Sequence, residues 1–151
     1  MKDIDEISGD VLDVAFRLHK ELGPGLLESV YETIMAAKLA AMGYNVDRQR
    51  PVDIEFDGMT FAGAFKIDLF VDNRLVVEIK SVERLTGAHG KQVLTYLRLT
   101  RQPVGLLINF AGETPKEGVR RLVKNHKISA PPRLRVNQFK RLERLCSTLQ
   151  A

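Results

Sequence analysis

Asp68, Glu78 and Lys80 are acid, acid and base in a stretch that alternates like a β-hairpin, and a hairpin could bring all three together. Along Thr60 to Val71, alternation puts Phe61, Phe65, Ile67, Leu69 and Val71 on one face and Ala62, Ala64, Lys66, Asp68 and Phe70 on the other. Along Leu75 to Ser81, Leu75, Val77 and Ile79 share one face, and Val76, Glu78 and Lys80 share the other. A three-residue loop, Asp72-Asn73-Arg74, pairs Val71 with Leu75 and sets Asp68 opposite Glu78, whereas a two-residue loop separates them onto opposite faces. The odd-length loop, or an equivalent bulge, is the expectation. Two neighbouring carboxylates repel, and in a partly buried place they call for a cation. Hard oxygen ligands suit Mg²⁺ or Mn²⁺, which keep several waters. Lys80 would point into the same pocket, where an ammonium can orient or help deprotonate a water and offset charge on a phosphate. The same spacing also serves an ordinary hairpin face carrying a Glu–Lys ion pair of little energetic weight.

The flanking elements must hold such a site. Ile4, Ile7, Val11, Val14, Ala15, Leu18 and Leu22 recur at helical spacing, which predicts a helix from about Asp3 to Glu21 ended by Gly23-Pro24-Gly25. A second helix is predicted from about Leu26 to Met42, with Glu28, Tyr31, Glu32, Met35, Ala36 and Leu39 in its period and Gly43 at its end. The period then falls to two, and Val46–Pro51, Val52–Phe56, Thr60–Val71 and Leu75–Ser81 read as strands with turns at Asp57-Gly58 and Asp72-Asn73. Thr86 to Thr100 reads as a helix, Val104 to Phe110 as a buried strand, and Thr114 to Lys124 as a helix with Thr114 as N-cap and Pro115 in its first turn. After the break at Ala130-Pro131-Pro132, Asn137 to Leu149 fits a last basic helix. The order predicts an α/β or α+β sandwich with a mixed central sheet, a domain over residues 1–128 and a basic extension over 129–151.

The chain of 151 residues, 44% apolar and 28% charged, suits one globular domain. No apolar run is long enough for a membrane span, the first residues lack the apolar stretch of a signal peptide, and Cys146 has no partner for a disulfide. These features point to the cytoplasm. From Lys116 to Arg144 ten basic residues face only Glu117 and Glu143, a block that suits a phosphate backbone as well as a solvated helix face. In the helix after Lys80, His89, Gln92 and Tyr96 form a polar stripe opposite Val93 and Leu94; His89 is more readily a surface residue than a ligand of an oxygen-rich pocket.

Gly25-Leu26-Leu27-Glu28-Ser29-Val30-Tyr31 carries the pattern of the GxxExxY proteins, a group of small bacterial and archaeal proteins. Ile67-Asp68-Leu69-Phe70-Val71, Val76-Val77-Glu78-Ile79-Lys80, His89 through Leu97 and Gly105 through Phe110 resemble the rest of that group's core, over about residues 5 to 125. The group is similar to the PD-(D/E)XK nuclease-like superfamily, with the fold of restriction and repair nucleases. The resemblance implies that Asp68 and Glu78 hold Mg²⁺ or Mn²⁺ with the Ile79 carbonyl and with Glu28, directly or through water. It further implies that Lys80 is the catalytic lysine and that Gln92 and Tyr96 support the site as a Q-x-x-x-Y element. Ile67 stands where the superfamily often has proline, and Lys66 where related sequences often have arginine. The expected activity is metal-dependent hydrolysis of nucleic-acid phosphodiester bonds, DNA before RNA, with basic residues such as Lys66, Lys91, Arg120, Arg121 and Lys124 on the phosphates. A nucleic-acid- or partner-binding module that keeps the fold with little catalysis, and a structural core of a larger complex, are the other readings. An exposed sheet edge could also pair two copies.

Overall fold

Asp3 starts the first helix by accepting from the backbone N–H groups of Asp5 (2.9 Å) and Glu6 (2.8 Å), while Glu6 reaches back to the Asp3 N–H at 2.7 Å. This helix, α1, runs over Ile4–Leu22 and stops at Gly23, whose φ of +69° suits glycine. The computed structural model describes residues 1–124. Beyond α1 it contains α2 (Glu28–Ala41), β1 (Val46–Phe56), β2 (Met59–Val71), β3 (Leu75–Lys80), α3 (Gly87–Thr100), β4 (Val104–Asn109) and β5 (Val119–Val123). The basic helix expected over Asn137–Leu149 lies outside the described residues.

The strands form one mixed sheet in the order β1-β2-β3-β4-β5. β3 and β4 are parallel, joined by the α3 crossover, and every other neighbouring pair is antiparallel. The expected sandwich of a mixed sheet flanked by helices is the architecture that forms. On one face α1 and α2 cover Leu69, Val71, Leu75, Val77, Ile79, Leu106 and Ile108; on the other, α3 covers Phe70, Val76 and Leu107 with Val93, Tyr96 and Leu97. β3 is therefore buried on both faces, which is why its sequence is apolar apart from Glu78 and Lys80. The crossover sits close: a Cβ on Gly105 would lie 2.8 Å from Val93 Cγ1 and 3.2 Å from Leu97 Cδ2.

Three expectations need correction. Val46–Pro51 and Val52–Phe56 are one continuous strand, because Pro51 is tolerated in β1 at the edge of the sheet. Thr114 to Lys124 is not a helix. Its first half turns, and Val119–Val123 pairs with β4 from Val104↔Val123 to Ile108↔Val119. The local start signal at Thr114-Pro115 loses to the need of the apolar β4 for a backbone partner, and Gly118 weakens any helix there. The alternation along β2 also fails at one place. Leu69, paired with Arg48, faces α1 and α2, whereas Ile67, paired with Arg50, packs in the α3-side cluster. Both strands change face between these pairs, at Gln49 and Asp68.

Substituting Gly105 by alanine should destabilise the protein by about 1–3 kcal/mol, read as a lower melting temperature, because α3 would be pushed off β4. An unchanged melting temperature would mean that Val93 and Leu97 give way to the added methyl at no cost.

Candidate active site

The hairpin between β2 and β3 has the expected three-residue loop. Val71 pairs with Leu75, and Asp72 and Asn73 take left-handed φ values of 51° and 53°. The ladder continues to Leu69↔Val77 and ends there. One residue further, where the register would bring Asp68 level with Glu78, the Ile79 N–H donates to Asp68 Oδ2 at 2.8 Å. A side chain thus takes the place of the next backbone partner. In an extended strand a residue's N–H and C=O leave from the same edge, so the Ile79 carbonyl faces the opening left by β2.

Glu78 is only 3% exposed. Its Oε1 accepts from Lys80 Nζ at 2.9 Å, and its Oε2 is buried without a hydrogen-bond partner. Burial first, and the neighbouring Asp68 charge second, push the Glu78 carboxyl up to about 7, against the opposing pull of Lys80. Asp68 is also raised, by burial above all, although the Ile79 N–H and Gln49 favour its charged form. Burial pulls Lys80 down, but Glu78, Glu28 and Asp68 together hold it above its ordinary value.

Elements on both sides complete the groove. Glu28, at the first turn of α2, accepts from the Ser81 N–H through Oε1 at 2.9 Å, which ties α2 to the exit of β3. From α3, Gln92 Nε2 donates to Tyr96 Oη at 2.8 Å. Tyr96 is buried, stands edge-on to Phe65 at 5.6 Å and is raised by burial and by the Glu78 charge, so its hydroxyl lies within the field of the site. Glu28, Asp68, Glu78, Lys80, Gln92 and Tyr96 are thus gathered around the end of β3. His89 is not among them: its Nδ1 accepts from the Thr86 N–H at 3.0 Å and caps α3.

The basic residues divide. Lys66 and Lys91 are exposed, and Arg120 is level with Glu78 through the pairs Glu78↔Leu107 and Leu107↔Arg120, about 10 Å away by strand spacing. Arg121 faces α1, where it pairs with Asp5. Lys124 donates its N–H to the Pro103 carbonyl at 2.8 Å, at the opposite end of the sheet from Lys80. Neither Arg121 nor Lys124 reaches the groove.

Three residues of the site escaped the sequence reading. Glu32 is buried and holds Arg48 Nε at 3.0 Å and Gln49 Nε2 at 2.7 Å. Gln49 Nε2 also reaches Asp68 Oδ1 at 3.1 Å. Asn109, buried at the end of β4, clasps Val82 by accepting its N–H at 3.0 Å and donating to its carbonyl at 2.8 Å. Glu32 and Asn109 had a signal, a polar residue inside an apolar stripe; Gln49 had none. Among the described residues no three His, Cys, Asp or Glu side chains converge into a ready-made metal cage.

Below a pH of about 7 the folded protein keeps a proton on Glu78, while an unfolded chain releases it near 4.5. The folded state therefore binds more protons in this window, so stability falls as pH rises through it. Melting curves in chelator should show a lower melting temperature at pH 8 than at pH 5, with the slope reduced in Glu78→Gln. An equal slope in both proteins would assign the effect to other groups.

A family model for the PD-(D/E)XK nuclease superfamily matches residues 5–122. No curated protein and no solved structure is found that matches the chain. The matched span runs from α1 into β5 and includes the acids and the lysine at the end of β3, so the chain belongs to the PD-(D/E)XK nuclease superfamily.

Proposed function

We propose that the protein is a Mg²⁺- or Mn²⁺-dependent nuclease that hydrolyses phosphodiester bonds, in DNA before RNA. The observation that carries this reading is the buried, unpartnered Glu78 Oε2 beside Asp68. An orphaned carboxylate oxygen in a dry place is costly unless a cation takes it up. The donor set fits: Asp68, Glu78 and the Ile79 carbonyl offer hard oxygens, and the Glu28 charge is felt by both Glu78 and Lys80. Two protein carboxylates are enough for Mg²⁺, which keeps much of its water.

When bound, the cation supplies an acidified water as nucleophile and positive charge against the phosphate. The chain's own groups do the remainder. Lys80 Nζ, held by Glu78, can swing its donors to a phosphate oxygen and steady the charge that develops there. Gln92 and Tyr96 line the α3 side and fix the lateral position of the substrate, while Lys66, Lys91 and Arg120 attract its backbone through salt-sensitive contacts.

A second reading, a nucleic-acid-binding module without cleavage, is favoured by one observation: Lys80 is engaged by Glu78. Incubation of single-stranded, double-stranded and branched DNA and RNA with Mg²⁺ or Mn²⁺ separates the two. Cleavage should fall by roughly 10²–10³-fold or more in Asp68→Ala and Lys80→Ala. Activity equal to that of the native chain in those variants would sink the nuclease reading, and salt-dependent binding without cleavage would establish the binding module.

A further inference from the structure

Among the described residues, five non-glycine residues have positive φ: Gln49, Asp57, Asp72, Asn73 and Arg101. Asp57, Asp72 and Asn73 are in hairpin turns and Arg101 ends α3, places where a left-handed residue is ordinary. Gln49, at φ 49°, is inside β1, between the regular pairs Arg48↔Leu69 and Arg50↔Ile67. A left-handed glutamine inside a strand costs of order 1 kcal/mol and persists only where its surroundings over-determine it.

Its side chain shows what does so. One Nε2 group, with two protons, donates to Glu32 Oε2 at 2.7 Å and to Asp68 Oδ1 at 3.1 Å. With carboxylates on both sides, only the NH₂ group can serve, so the amide orientation is dictated. Glu32 is anchored in turn by Arg48 at 3.0 Å, and the other oxygen of Asp68 by the Ile79 N–H at 2.8 Å. The result is a chain of five groups, Arg48–Glu32–Gln49–Asp68–Ile79, that links β1, α2, β2 and β3. The left-handed turn at Gln49 is also where β1 and β2 change face, which leaves Asp68 directed along the sheet toward β3.

We infer that Gln49 is the positioning residue of the metal site: its carboxamide fixes the Asp68 carboxylate for a divalent cation and screens it from Glu32. This rests on the proposed metal-holding role of Asp68. Gln49 itself holds no metal, and the hydrogen-bonded link from Glu32 to Asp68 runs through it. Gln49 is exposed, so removing its side chain leaves no cavity in the core.

The test compares Gln49→Ala, Gln49→Gly, Glu32→Gln and the double variant Glu32→Gln/Gln49→Ala with the native chain. Calorimetric titration with Mn²⁺ reads the metal, melting in chelator reads the fold, and DNA cleavage at saturating Mn²⁺ reads catalysis. Alanine keeps the backbone strain and glycine relieves it, so Gln49→Gly should melt above Gln49→Ala, while both lose Mn²⁺ affinity by a similar factor, about tenfold. Glu32→Gln presents an amide donor toward either Arg48 or Gln49, so it should lose affinity in the same direction, and the double variant should lose little more than Gln49→Ala alone. Unchanged Mn²⁺ affinity in both Gln49 variants overturns the proposal. So do additive losses in the double variant, which would make Glu32 an independent ligand, and so does a native chain that binds no Mn²⁺. Mn²⁺ binding with the expected losses but no cleavage by the native chain upholds Gln49 as the positioning residue and removes only the nuclease activity.

Discussion

The hydrogen bond from the Ile79 N–H to Asp68 Oδ2 occupies the point at which β2 parts from β3. A ladder that simply stopped in a buried place would strand a backbone donor, at a cost of about 1–3 kcal/mol. Here a carboxylate receives that donor, so the sheet opens without an orphan and the acid itself is fixed by the opening. The other arrangements around the groove follow from that split. β3 continues alone to Lys80 with β4 on one side only, and the freed edge is where the Ile79 carbonyl, Asp68 and the Gln49 bridge meet. Beyond Lys80 the chain is caught from two directions, by Glu28 at Ser81 and by Asn109 at Val82.

Holding several acids in one groove works against stability. Glu78 and Asp68 are both displaced toward their neutral forms by burial, and each feels the charge of another carboxylate. The surrounding fold offsets this. Tyr31, four residues before Met35 in the buried face of α2, stacks on Phe110 with ring centres 4.1 Å apart, a contact worth about 0.5–1.5 kcal/mol beyond its burial. The Tyr31 hydroxyl donates to the Gly23 carbonyl at 2.6 Å and so fastens the α1–α2 turn to the end of β4. The same segment therefore supplies Glu28 to the groove and an anchor beneath it.

Much of this was legible in the residues. Helical periodicity found α1, α2 and α3, and the Asp72-Asn73-Arg74 loop was deduced from the need to bring Asp68 and Glu78 together. The exceptions share a cause. β5 was hidden because its strand character depends on β4, a partner distant in sequence, while Thr114-Pro115 gives a strong local signal. Ile67 was assigned to the wrong face because alternation assumes a regular pleat, and nothing in the letters around Gln49 announces a left-handed residue. Arg121 and Lys124 illustrate the limit of charge counting: composition shows how much charge a segment carries, but the strand decides which side and which end it reaches.

The contacts that draw the groove together join distant parts of the chain: Glu28 to Ser81, Glu32 to Gln49, Asn109 to Val82. β3 and β4 can pair only after the whole α3 crossover has been made. A chain still emerging from the ribosome, or one cut and partly melted, contains every acid and the lysine yet holds them apart. On the proposed function, such a chain is harmless to nucleic acid around it, because hydrolytic power needs these distant contacts to be made.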